Sequence, residues 1–157
     1  MYLIVLQFSL IVPAGMFFAF NYKELAFYKN KYFLEHDHLI TLIGSLGILA
    51  NGLFRNMWGY LFDKFTYKKL MLCINIVLLL VTSLILLAVN SFFTFLLIII
   101  FNYLAYGGTY ALLPTQIVRI MGEKAAVRIF WLAFSAFSIA STLQFLIHYF
   151  LITNFGE

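Results

Sequence analysis

Gly47, Asn51, Arg55 and Gly59 recur at every fourth residue and lead into Asp63-Lys64. On a helix this spacing puts them along one slowly drifting stripe, with a guanidinium inside an otherwise apolar stretch. A guanidinium grips a carboxylate through two parallel hydrogen bonds, so the chemistry offered is anion recognition. Arg55 stands eight residues before Asp63, which is about 12 Å along a helix and deeper than a snorkelling side chain comfortably reaches. A water-filled cavity, a carboxylate substrate, or the carbonyl and amide groups of neighbouring helices must solvate it. Gly44, Gly47 and Gly59 remove bulk beside it, which suits close helix packing or room for a ligand. A purely structural arginine buried in helix contacts is the competing reading.

The elements that carry this stripe follow from composition. With 64% hydrophobic, 20% aromatic and 10% charged residues, the 157-residue chain cannot cover a water-facing globule with polar side chains. The expected class is an all-α, polytopic membrane helix bundle. About 20 apolar residues cross a hydrocarbon core, and on that scale Met1 to Tyr22 makes one span and Leu39 to Phe62 a second, interrupted by Arg55. Leu70 to Val118 carries no charge and is long enough for two crossings, with Asn90-Ser91 as the polar break. A fifth span runs from Ile129 to Leu151, and no sixth is left.

Basic residues of short loops set orientation. Lys64, Lys68, Lys69, Arg119, Lys124 and Arg128 fall on one side, whereas Lys23, Lys29 and Lys31 on the other are diluted by Glu24, Glu35 and Asp37. The expected topology has the N-terminus and the Asp63 and Arg119 loops on the cytoplasmic or matrix-like side, with the C-terminus opposite. This placement also accounts for the formal charge of +4 without a nucleic-acid partner, because the cations are scattered at span ends rather than gathered in a patch. The first span lacks a basic leader and a small-residue cleavage site, which argues against a cleaved signal peptide. With no linker, repeat or compositional break, residues 1–157 read as a single transmembrane domain.

Other polar groups offer less. The lone Cys73 has no intrachain disulfide partner and no neighbouring metal-ligand spacing. His36-Asp37-His38 are consecutive loop residues pointing in different directions, a poor metal set. Histidine's unperturbed pKa lies near neutrality, so His148 could move a proton, or it could be an interfacial residue at the end of span five. Ser135, Ser138, Thr142 and Gln144 could line a path or hold helices together. No nucleophile–base pair, paired carboxylates or metal spacing accompanies Arg55, so an enzyme is not expected, and no cofactor is.

The segment Asn51-Gly52-Leu53-Phe54-Arg55-Asn56-Met57-Trp58-Gly59-Tyr60-Leu61-Phe62-Asp63-Lys64 resembles the eighth helix and following cytoplasmic loop of major facilitator transporters. The similarity is closest to the oxalate/formate antiporter and monocarboxylate transporter branch. Phe65-Thr66-Tyr67-Lys68-Lys69 keeps the basic pair of that loop but has Thr66 where glycine is usual, which leaves its tight turn open to alteration. Tyr106-Gly107-Gly108-Thr109-Tyr110-Ala111-Leu112-Leu113-Pro114 resembles the tenth helix, with Gly107 and Gly108 for close helix packing and Pro114 beginning the cytoplasmic turn. The resemblance implies an incomplete C-terminal half, spans one to five matching helices seven to eleven. It further implies that Arg55, with Asn51, binds a substrate carboxylate, and that Gly59, Asp63, Lys64, Lys68 and Lys69 form a conformational latch. An ordinary solvated loop is the other reading of these lysines. Phe137 falls where oxalate-type members have a second, lysine cation, so the resemblance implies a monoanion rather than a dianion.

A major facilitator site lies between two halves that rock against each other, and these spans amount to part of one. The expected function is part of a secondary transporter for small monocarboxylate-type anions once the missing half is supplied. The alternative is a transport-inactive accessory subunit of a large membrane complex, mitochondrial ones included. The expected partners are membrane lipid, other membrane subunits or a complementary half, and a small organic anion. The expected location is the plasma membrane or the mitochondrial inner membrane.

Overall fold

A computed structural model describes the backbone of residues 2–155 and the side chains of all but some positions in 2–20 and 132–155. Six helices follow one another: α1 (Tyr2–Lys29), α2 (Lys31–Glu35), α3 (Asp37–Lys64), α4 (Tyr67–Ala88), α5 (Phe92–Met121) and α6 (Glu123–Phe155). The described residues contain no strand. In hydrocarbon only a helix satisfies its own backbone polar groups, so these apolar runs fold as helices whatever their β-branched content. Among the described residues α3, α4 and α5 are long and apolar enough to cross a membrane. Long helices also occupy the places expected for spans one and five.

The helices fall into two compact units, Phe18–Leu112 and a second formed by Met1–Phe17 with Leu113–Glu157. The larger unit is built around Ala26 of α1, Phe33 of α2, Ile40 and Ile43 of α3, Ile85 of α4, and Phe95, Ile99 and Tyr103 of α5. Outward-facing positions of the same helices are also apolar, including Leu53, Leu72, Leu79 and Leu87. A soluble protein could not sustain that distribution, whereas lipid accepts it.

Two connections differ from expectation. Lys23 to Asp37, expected as a polar loop, is helical except at Asn30 and His36. The cause is Asn30, whose side-chain oxygen caps α2 by accepting from the Tyr32 amide at 3.1 Å while its amide donates to the Val89 carbonyl at 3.0 Å. Phe33, one residue further along α2, is then buried against Phe95, their rings 5.7 Å apart. Pro114 was expected to begin a turn, but α5 passes through it and continues to Met121. Proline forfeits one backbone donor yet keeps a helical φ, so the neighbouring bonds carry the helix on. The stop is Gly122, with φ +73° and its amide donating to the Val118 carbonyl at 2.9 Å, a left-handed glycine that closes α5.

The turn between α3 and α4 tolerates Thr66 readily. Thr66 is the N-cap of α4 in extended conformation (φ −73°), its carbonyl accepting from the amides of Lys69 and Leu70. That geometry requires no glycine. The Asn90-Ser91 break falls where expected, between α4 and α5.

Candidate functional site

Asn51 and Trp58 lie two turns apart on the face of α3 that meets α5, and both are buried. Asn51 Nδ2 donates to the Tyr103 carbonyl at 3.2 Å, and Trp58 Nε1 donates to the adjacent Leu104 carbonyl at 2.9 Å. Two side-chain donors on consecutive carbonyls fix the register of one helix on the other. Close approach makes these bonds reachable. A Cβ at Gly107 would stand 2.8 Å from the Asn51 carbonyl oxygen, and one at Gly108 would stand 2.7 Å from the Trp58 ring. Gly47 likewise accommodates the Tyr103 ring, and Gly44 the Tyr22 hydroxyl.

Arg55 is built onto this clamp from one turn away. Its Nε and Nη2 both donate to Asn51 Oδ1, at 3.2 and 2.9 Å, and its guanidinium carbon lies 5.5 Å from the centre of the Tyr110 ring. The Tyr110 hydroxyl pairs with that of Tyr106 at 2.8 Å, their rings meeting edge to face. The arginine is therefore held by an amide oxygen and a π-face, neither of which cancels its charge. No carboxylate among the described residues is in ion-pair range of it. Its side chain is exposed on the described helices, with the Nη1 edge of the guanidinium unspent.

Asn51 has both its amide nitrogen and its oxygen committed to protein partners. Gly59 is exposed, with nothing within 4 Å of where a Cβ would stand, so it makes no close helix contact among the described residues. Lys64, Lys68 and Lys69 are exposed around the α3–α4 turn, the Lys64 ammonium 4.5 Å from the centre of the Tyr60 ring. Ser138 and Thr142 bond the Phe134 and Ser138 carbonyls of their own helix. The side chains of Phe137, Gln144 and His148 lie outside the described residues. The sequence reading missed the roles of Tyr103, Tyr106 and Tyr110, although the Tyr106–Tyr110 spacing of four was available as a same-face signal.

The family model described as Major Facilitator Superfamily matches residues 3–156. The chain belongs to the major facilitator superfamily. No curated protein and no solved structure matches it significantly. As a major facilitator member it is an integral membrane protein of the transporter type, and its described residues are all-α with helices long and apolar enough to cross a membrane. Members of this superfamily are transporters rather than enzymes. No group of three or more His, Cys, Asp or Glu able to hold a metal occurs among the described residues.

Proposed function

We propose that this major facilitator chain contributes the carboxylate-binding wall of a secondary transporter for small monocarboxylate-type anions, acting with a complementary set of helices. The observation that carries this reading is a guanidinium on a helix of membrane-crossing length and composition, with no carboxylate partner among the described residues and one edge unspent. An arginine at mid-membrane costs at least about 2.5 kcal/mol, and a bound anion offsets that cost by end-on charge-assisted hydrogen bonds to Nη1 and Nη2. Asn51 acts through Arg55 as a positioning residue, since its own polar atoms are spent on Arg55 and Tyr103. Phe137, at the position where oxalate-type members carry a second, lysine cation, favours a monoanion. Resemblance to the C-terminal half of the oxalate/formate and monocarboxylate branch supports the same assignment, including a latch at Gly59, Asp63, Lys64, Lys68 and Lys69.

The test is uptake of labelled formate, lactate and oxalate into vesicles holding the intact assembly that contains this chain. Saturable monocarboxylate uptake, lost in Arg55→Leu while the assembly remains intact, is the expected result. Unchanged uptake in that variant removes Arg55 from the binding site. Co-purification with unrelated subunits and no anion uptake favours an accessory subunit instead.

A further inference from the structure

The two ends of the larger unit treat their charges differently. At the end formed by α2 and the α4–α5 connection, Lys23 is bridged to Asp37 at 3.2 Å and bonded to Thr41 at 2.9 Å, while Glu24 and Glu35 accompany Lys29 and Lys31. At the α3–α4 turn Lys64, Lys68 and Lys69 are all exposed, and none is paired with a carboxylate among the described residues. Asp63 is the single acid beside them, leaving a local excess of positive charge.

Aromatic groups set the depth of this patch. α3 and α4 are both of membrane-crossing length and composition, and only Phe65 and Thr66 separate them, so the lysines sit at the boundary of the hydrocarbon. Lys64 folds back one helical turn onto Tyr60, which is 60% exposed, and Phe65 in the turn is 49% exposed. Aromatic rings at this level belong to the headgroup region, and an ammonium held against one is kept there instead of reaching into bulk water. We propose that Tyr60, Lys64, Phe65, Lys68 and Lys69 form a docking surface for the phosphate headgroup of an anionic phospholipid in the adjacent leaflet. The aromatic rings lie among the glycerol and upper acyl groups while the ammonium groups meet the phosphate. Each lysine near an anionic surface is worth roughly fivefold in affinity, so three set against one aspartate should enrich an anionic lipid at least about tenfold over a zwitterionic one.

The experiment uses the full chain in nanodiscs of phosphatidylcholine containing a minor fraction of phosphatidylglycerol, with co-purifying lipid counted by native mass spectrometry. Wild type and Lys29→Gln/Lys31→Gln should retain phosphatidylglycerol in preference to phosphatidylcholine, and Lys64→Gln/Lys68→Gln/Lys69→Gln should lose that preference about tenfold. Lys64→Arg/Lys68→Arg/Lys69→Arg should keep it. Raising salt from about 0.05 to about 0.5 M should weaken wild-type retention, a readout that stands if the glutamine variant fails to fold. Inorganic phosphate at millimolar concentration should not displace the lipid, because it lacks acyl chains for Tyr60 and Phe65. Equal retention by wild type and the glutamine variant, a salt-independent preference, or displacement by inorganic phosphate would overturn the proposal.

Discussion

Asn51 shows how much depends on single atoms. Its Oδ1 accepts both Arg55 bonds, so Asn51→Asp would put a carboxylate where the amide oxygen now stands, 2.9 Å from Nη2. The resulting ion pair competes with any substrate carboxylate for the same guanidinium. Charge-assisted hydrogen bonds are worth about 1.5–3 kcal/mol, so the half-saturating anion concentration should rise by at least about tenfold. Concentration-dependent uptake measures this, and an unchanged value would deny that Arg55 meets the anion. Gly107 makes a separate prediction. Gly107→Ala forces a Cβ to within 2.8 Å of a backbone oxygen on the neighbouring helix, which cannot swing away as a side chain can. It should destabilise by about 1–3 kcal/mol, whereas Gly52→Ala, with nothing within 4 Å, should be neutral or better. Thermal unfolding of the two variants in detergent distinguishes them.

Among the elements, the short helix α2 is the least expected and rests on one residue. Asn30 supplies its N-cap and ties it to the α4–α5 connection through the Val89 carbonyl. Asn30→Ala loses both bonds and should cost about 1–2 kcal/mol, readable as faster amide exchange from Lys31 to Glu35. That connection also bears on topology. Asn30 and Val89 meet at one end of the larger unit, while Phe65 and Thr66 join α3 and α4 at the other, so Lys31 and Lys68 belong on opposite sides of the membrane. Membrane-impermeant amine labelling from the Lys68 side should modify Lys68 and spare Lys31. Labelling both from one side would refute the arrangement.

For the whole molecule, the site has one described wall. Arg55 is exposed on these helices, and lipid cannot satisfy a guanidinium. Further helices, on this polypeptide or another, must cover it with polar groups or water. Monocarboxylate uptake should therefore appear only where such helices are present, and mass measurement of the chain extracted in mild detergent should report that larger species. Transport by the isolated residues 1–157 would overturn this expectation.

Composition and run length alone determined that the chain is a bundle of membrane helices, because the length of an apolar run and the need to satisfy every backbone group in lipid leave no other fold. The buried part of the stripe, Gly47 and Asn51, and the glycine pair at Gly107-Gly108 were legible for a similar reason, since helical periodicity maps spacing onto a face, whereas Gly59 is exposed with no close neighbour among the described residues. What the stripe meets was not legible, since the bonds from Asn51 and Trp58 go to the carbonyls of Tyr103 and Leu104, which any sequence possesses. Local pattern also misplaced the end of α5. Pro114 was the obvious breaker, yet the helix ends at Gly122, because a proline inside a packed helix costs one hydrogen bond that its surroundings can absorb. Only the tertiary structure showed that Arg55 is held by an amide oxygen and the Tyr110 ring rather than by a carboxylate among the described residues, since that depends on how α5 is rotated against α3.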